Sequence, residues 1–489
     1  MNTSMVRYIL GHVLKLEALL LIFPCIVAGI YKEKGGIYFL CTALLCCFIG
    51  FVLSGKKPKQ TTIYLKEGCL ITALSWIILS LFGALPFVFS GEIPSFTDAL
   101  FEVISGFTTT GASILSNVEG LSYCMLFWRS FTHWIGGMGV LVFLLAVIPM
   151  SGGSHINLMR AESPGPSVGK LVPKLRHTAR ILYIIYFGMT VVETILLLFG
   201  GIPFFDAITT AFGTAGTGGF GIKNDSITSY SPYIQWVVTI FMLLFGINFN
   251  AYYLLFFGSI RQALKVEEVK YYFIIVFASI GIIFANILKT CAGAFDAITK
   301  ASFQVASIIT TTGFSTADFD TWPELSKTIL VMLMFCGACA GSTGGGIKVS
   351  RFVIVIKNLG KELNSYIHPK SIRKVKFEGK PVDHDVVRSI NVYFTTFLTI
   401  FVISVLLVSL EGHDFTTNFT SVLATMNNIG PGLSLVGPTQ NFAFFSPLTK
   451  YVLMFDMLAG RLELFPMLIL FHPSIWKEFF HIADKHIRR

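Results

Sequence analysis

Four short tracts constrain this chain more than any other feature: Thr108-Thr109-Thr110-Gly111, Thr217-Gly218-Gly219-Phe220-Gly221, Thr310-Thr311-Thr312-Gly313 and Asn427-Asn428-Ile429-Gly430. Each lies between two long apolar stretches. An aqueous loop has no use for four such tracts at membrane depth. A fourfold ring of backbone carbonyls does, because such rings replace the hydration shell of a dehydrated cation.

Composition places those stretches in a membrane. Hydrophobic residues make up 54% of the chain and charged residues 13%, with a mean hydropathy of +0.71. Soluble domains rarely combine these values, whereas polytopic membrane proteins do. Phe (47 residues) suits lipid contact, and Gly (44 residues) suits close helix packing and irregular backbone. A net charge of +10 would suggest nucleic acid in a soluble chain, but here the basic residues fall in loops between apolar spans, which excludes that class. The nine cysteines, among them Cys41, Cys46, Cys47 and Cys124, lie mostly inside apolar spans and read as small hydrophobes. Cys336 and Cys339 have C-x-x-C spacing, but no second pair or nearby His completes a metal site.

A hydrocarbon core of about 30 Å takes roughly 20 helical residues to cross. Spans are predicted near 16–31, 37–54, 69–90, 122–149, 180–200, 232–258, 271–291, 326–357, 388–410 and 447–471, the first being retained rather than cleaved. Lys/Arg clusters follow alternate spans. They comprise Lys56, Lys57, Lys59 and Lys66; Arg160, Lys170, Lys174, Arg176 and Arg180; Arg261, Lys265 and Lys270; and the segment Lys357 to Arg388. The opposite loops carry Asp318, Asp320, Glu324, Glu411 and Asp414 instead. The positive-inside rule then puts both termini in the cytoplasm and the four tracts at or near the outer face.

Aligning the tracts on their glycines reveals a repeat. Phe96-Thr97-Asp98-Ala99-Leu100 precedes Gly111 at the spacing by which Phe204-Phe205-Asp206-Ala207-Ile208 precedes Gly219, and Phe415-Thr416-Thr417 keeps that spacing before Gly430. Phe101-Glu102-Val103 matches Phe303-Gln304-Val305 before Gly313. Each unit reads as span, short helix of about three turns, tract, span. A short apolar helix cannot cross the bilayer and is predicted to be re-entrant, with irregular backbone tolerated only inside protein or along a water-filled path. The predicted fold is an all-α membrane protein with four pseudo-symmetric units around a central pore. Its divisions are 1–62 (an N-terminal hairpin), 63–165, 166–264, 265–365 and 366–489.

The residue types suit cation coordination. Thr brings a carbonyl and a hydroxyl, and Gly permits the angles that turn successive carbonyls toward one axis. Each short helix is expected to aim its partly negative C-terminus at that axis. The predicted ion-binding residues are Thr109, Thr110 and Gly111; Thr217, Gly218 and Gly219; Thr311, Thr312 and Gly313; and Asn428, Ile429 and Gly430. The tracts are unequal, so the ring is expected to be only pseudo-fourfold.

With these motifs the chain resembles the TrkH/KtrB/HKT superfamily of potassium transporters, and the TrkH branch within it, over essentially its whole length. The resemblance implies channel-like potassium uptake in a bacterial cytoplasmic (inner) membrane, with Gly111, Gly219, Gly313 and Gly430 in the filter. It also implies a homodimer, a separate TrkA-type cytosolic partner with nucleotide-binding domains, and no cofactor beyond the transported potassium. The Asn-Asn-Ile-Gly-Pro loop departs from the Thr-Thr-Gly pattern.

Two further stretches gain meaning. Gly337 to Lys348 interrupts span eight, where each interior Gly costs about 1 kcal/mol relative to Ala. It lacks the Gly-Lys adjacency and preceding strand of a phosphate loop. A glycine-lined helix crossing is one reading. The family resemblance implies another, an intramembrane gate of Gly341, Ser342, Thr343, Gly344, Gly345, Gly346 and Lys348. Span ten carries Asp456, Arg461 and Glu463 around Gly460. A mid-membrane charge costs about 2.5–3.5 kcal/mol on insertion scales, so it must face a pore or a partner. The resemblance places Arg461 in the permeation path, and a buried ion pair between helices is the alternative.

Arg129, His133 and Trp134 form a polar cluster in span four, with no proton-relay role assigned to His133. Glu102 either braces the ring by hydrogen bonds to backbone or stands as a solvated vestibule charge. Lys357 to Lys380 either docks the cytosolic partner or contacts anionic lipid. A membrane-embedded enzyme would need a paired acid/base or metal cluster within the spans, and none is found. A proton- or sodium-coupled symporter would show broken helices about a midplane site. Span eight is broken, but the fourfold repeat favours a channel-like path.

Overall fold

The structure is a computed structural model, and it describes residues 1–60, 62–139, 175–258, 260–263, 265–369 and 373–479. The basic residues Arg160, Lys170 and Lys174 and the end of predicted span four lie outside the described residues. The N-terminal hairpin is α1 (Thr3–Leu20), α2 (Ile22–Tyr31) and α3 (Gly36–Ser54). Its first span begins at Thr3, well before the predicted residue 16. Asn2 caps it by accepting from the Met5 N–H at 3.1 Å. Met5, Val6, Ile9, Leu10, Val13 and Leu14 form a buried stripe, and Arg7 and Lys15 lie on the less buried face of the same helix.

Four units follow. The first is α4 (Leu65–Ser90), the short α5 (Phe96–Phe107) and α6 (Tyr123–Met138). The second is α7 (Leu175–Phe199), the short α8 (Phe204–Ala215), α9 (Pro232–Phe245) and α10 (Phe249–Phe257). The third is α11 (Glu267–Ile287), the short α12 (Ala294–Ile309), α13 (Glu324–Phe335) and α14 (Val349–Ile367). The fourth is α15 (His384–Val408), the short α16 (Phe415–Met426) and α17 (Pro447–Arg461). A small hairpin pairs Lys376–Phe377 with Lys380–Pro381 between the third and fourth units.

Burial is inverted relative to a soluble protein. α3 presents Ile37, Leu40, Leu44, Phe48 and Phe51 outward, while Thr108, Thr109, Thr110, Thr310, Thr311, Thr312, Asn427 and Asn428 are fully buried. Six described helical segments are long and apolar enough to cross a membrane. The helices after the second, third and fourth tracts are shorter than predicted. Span six, expected as one helix over 232–258, bends by 90° between Phe245 and Phe249. Span eight stops at Phe335 and resumes at Val349. Span ten stops at Arg461, where Glu463 and Leu464 take positive φ of 57° and 71°. In span four, α6 ends at Met138 before Gly139, at φ 79°. The sequence reading recognised only the span-eight interruption, because the breaks of spans six and ten have no glycine run of that length to mark them.

Candidate functional site

Each short helix carries a carboxylate at its start and the same cap at its end. Ser95 caps α5 with Asp98 in its first turn, Asp206 and Asp296 hold that turn in α8 and α12, and Asp414 caps α16. Negative charge there complements the helix dipole and leaves the carbonyl end aimed inward. At that end the chain reverses through a Schellman motif, in which the left-handed residue is normally Gly or Asn. In the first unit Thr109 donates to the Gly106 carbonyl at 3.1 Å and Thr110 to the Ser105 carbonyl at 2.9 Å. The same two bonds recur from Thr217 and Gly218, from Thr311 and Thr312, and from Asn428 and Ile429.

The left-handed residues are therefore Thr109 (φ 55°), Thr217 (φ 53°), Thr311 (φ 58°) and Asn428 (φ 56°). Two residues on, Gly111, Gly219, Gly313 and Gly430 return to positive φ. The residues between them do not, and this alternation turns consecutive carbonyls to one side. A β-branched residue at positive φ is strained by about 1–3 kcal/mol. Three threonines hold that conformation in one place.

The four glycines meet in a closed cycle. A Cβ on Gly111 would collide with the Gly218 carbonyl, one on Gly219 with that of Thr312, and one on Gly313 with that of Ile429. A Cβ on Gly430 would stand 2.7 Å from the Thr110 oxygen, which closes the cycle on the first unit. Each glycine thus faces the carbonyl just before the equivalent glycine of the next unit. All four border one small cavity of about 110 Å³, lined also by Ser113, Arg129 and Phe442.

Of the twelve residues predicted from the tracts, Thr110, Gly111, Gly218, Gly219, Thr312, Gly313, Ile429 and Gly430 meet in this cycle, and Thr109, Thr217, Thr311 and Asn428 are the left-handed residues that lead into it. Glu102 is not a solvated charge. It is buried in a salt bridge with Arg129 at 2.7 Å and accepts from the Ile114 N–H at 3.0 Å. Arg129 in turn donates to the Gly221 carbonyl at 3.1 Å, tying the wall of the first tract to that of the second. Gln304, its counterpart in the third unit, donates to the Ala317 carbonyl at 3.4 Å.

The stretch after Phe335 lies against the inner side of the same ring. The Gly345 N–H donates to Thr311 Oγ1 at 2.6 Å, and a Cβ on Gly344 would stand 3.1 Å from the Thr310 oxygen. Lys348 closes its own loop by donating to the carbonyls of Gly344 and Gly345. Gly341 accepts from the Phe249 N–H at 3.0 Å, and Cys339 donates to the Gly246 carbonyl at 3.1 Å. The breaks of spans six and eight thereby satisfy each other's freed backbone, as non-helical chain at membrane depth requires.

Arg461 reaches across from the fourth unit. It donates to the Thr343 carbonyl at 2.9 Å and to the carbonyls of Gly136 and Gly137, the latter at 3.0 Å. The buried ion pair considered for this helix exists, but Glu463 makes it, with Arg351. Asp456 instead accepts from Ser404 Oγ at 2.7 Å.

The sequence reading missed Glu268. Its carboxylate accepts from the Ala340 N–H at 2.7 Å and the Ser350 N–H at 3.0 Å, bracing both ends of the glycine loop. Its position in the first turn of α11 resembles ordinary helix-start acidity, so no linear signal marked it.

A family model described as a cation transport protein, TrkH, matches residues 38–478. The Trk system potassium uptake protein TrkH of Salmonella typhimurium is 36% identical over 98% of this chain and 100% of its own length. TrkH of Vibrio parahaemolyticus is 34% identical over 97% of this chain and 99% of its own length. The crystal structure of the potassium transporter TrkH from Vibrio parahaemolyticus superposes with a TM-score of 0.88 at 32% identity, covering 97% of this chain and 100% of that one. The inverted burial, the fourfold helix–tract unit and these matches agree, and the chain belongs to the TrkH family of cation transport proteins, a family of transporters and not of enzymes.

Proposed function

We propose that this protein takes up potassium across a bacterial cytoplasmic membrane, with both termini in the cytoplasm. The ion passes a filter made by the carbonyls of Thr109–Gly111, Thr217–Gly219, Thr311–Gly313 and Asn428–Gly430. One observation carries the reading: the closed cycle in which every tract glycine faces the next tract's carbonyl. Such a cycle stacks oxygens from four strands about one axis, the geometry that replaces a hydration shell. Relatives carrying the name Trk system potassium uptake protein support the choice of ion.

Gly341–Gly346, Lys348 and Arg461 form the gate below the filter. Two fixed cations beneath the ring oppose entry of a third, and the loop is tied to the filter through Thr311. Movement of the loop with Arg461 opens the path, and flux runs down the electrochemical gradient. The divisions at 62/63, 165/166, 264/265 and 365/366 follow the four units. A cytosolic nucleotide-binding partner of TrkA type and a homodimer of this subunit complete the proposal; the relatives' names speak of a Trk system. Lys357 to Lys380 supplies the basic docking face.

Rb⁺ and Na⁺ uptake into proteoliposomes tests the filter. Gly313→Ser is expected to lower the Rb⁺/Na⁺ ratio, since its Cβ meets the Ile429 carbonyl. An unchanged ratio would remove repeat three from the filter. Arg461→Ala and a deletion of Gly341–Gly346 test the gate; if neither raises flux, the gate is elsewhere.

A further inference from the structure

The second tract carries glycine where the others carry side chains. Thr108 and Thr110 join hydroxyls at 2.8 Å, and Thr310 and Thr312 do the same at 2.8 Å. The corresponding residues of the second tract are Gly216 and Gly218. The backbone does not demand glycine at Gly218, whose φ lies outside the left-handed region, in contrast to Gly219 at 76°. A neighbour demands it. A Cβ on Gly218 would overlap the imidazole of His133, and one on Gly216 would overlap the His133 carbonyl.

His133 is fully buried in α6. Its Nδ1 bonds the Gly106 carbonyl at 2.7 Å, the same oxygen that closes the cap of the first tract. Its ring lies 4.2 Å, centroid to centroid, from Phe220, which follows the second tract. One side chain from the first unit therefore holds the end of α5 on one side and fills, on the other, the space that a threonine at position 218 would take.

We propose that His133 is a positioning residue for ion selectivity, replacing in the second tract the threonine hydroxyl pair that braces the first and third. The inference rests on the carbonyl-ring reading above. It also accounts for the Thr-Gly-Gly composition of the second tract, with His133 and Gly218 as complementary halves of one packing unit.

A double-mutant cycle read as the Rb⁺/Na⁺ uptake ratio tests it, with gel filtration and thermal unfolding in detergent as folding controls. Gly218→Thr is expected to lower the ratio about tenfold, and His133→Ala to lower it severalfold, through changes on the order of 1 RT or more in relative barrier height. The pair His133→Ala/Gly218→Thr is expected to recover most of the loss, because the threonine enters the vacated space and the two sites are coupled. His133→Gln, which keeps a donor toward Gly106, is expected to sit between His133→Ala and the native protein.

A Gly218→Thr protein that folds with an unchanged ratio would overturn the ring reading at this repeat. A shifted ratio in Gly218→Thr, combined with no effect of His133→Ala and no recovery in the pair, would overturn the role of His133 alone. Should Gly218→Thr fail to fold, Gly218→Ala completes the same cycle, since its Cβ already meets the ring.

Discussion

Three of the four left-handed positions hold threonine, which pays for that backbone angle with strain, so something must hold it there. At Thr311 part of the hold is the Gly345 N–H, which donates to its hydroxyl at 2.6 Å. A hydrogen bond of this kind is worth about 0.5–1.5 kcal/mol net. Thr311→Ala is therefore expected to raise basal Rb⁺ flux by roughly two- to tenfold, while Thr311→Ser stays near the native level. Equal fluxes in the two variants would show that this bond does not restrain the loop. Asn428 meets the same backbone demand with a residue that tolerates it better. Its amide donates to Thr110 Oγ1 at 3.0 Å and to the Met457 carbonyl at 2.9 Å. The departure of the fourth tract from Thr-Thr-Gly is thus a substitution that joins the fourth tract to the first. Glu102 is a further residue-scale case. Glu102→Gln leaves Arg129 buried without its counter-charge, a change costing about 3–5 kcal/mol. A clear fall in melting temperature in detergent is expected, and an unaltered melt would mean that Arg129 finds other compensation.

At the scale of elements, the short helices are alike because each must end pointing inward and reverse at once. A carboxylate at the cap or in the first turn of the outer end and a Schellman cap at the inner end accomplish this in 12 to 16 residues. The breaks of spans six and eight find backbone partners in each other rather than in lipid. Among the described residues the loop after Phe335 is the longest such interruption, and Glu268 holds it at both ends. Bonds from backbone N–H groups to a charged acceptor contribute about 1.5–3 kcal/mol each. Glu268→Ala is expected to loosen the loop and raise basal uptake more than Thr311→Ala does. Lower uptake in a protein that still folds would assign Glu268 to stabilising the open state instead.

For the whole molecule, the ring draws one strand from each quarter of the chain, and its asymmetry has a measurable consequence. A Cβ on Gly111, Gly219 or Gly313 overlaps the facing carbonyl, whereas on Gly430 it stands 2.7 Å away. Serine substitutions at the four glycines are expected to lower the Rb⁺/Na⁺ ratio in all cases, with Gly430→Ser the mildest. If Gly430→Ser proves the most severe, the fourth strand bears more of the selection than its spacing indicates. The fourfold unit, the membrane setting and the re-entrant helices were legible in the linear chain, since hydropathy and repeat spacing follow from local composition and bilayer thickness. The polar residues of the tracts were legible too, being out of place at that depth. The linear chain did not reveal the breaks in spans six and ten, the pairing of Glu463 with Arg351, the brace at Glu268, or the seat of His133 on Gly218. Each depends on which backbone from a distant unit arrives within hydrogen-bond or van der Waals reach. Local preferences settled that there are four similar strands; only their packing decided which carbonyl each glycine faces and which side chain fills the gap beside it.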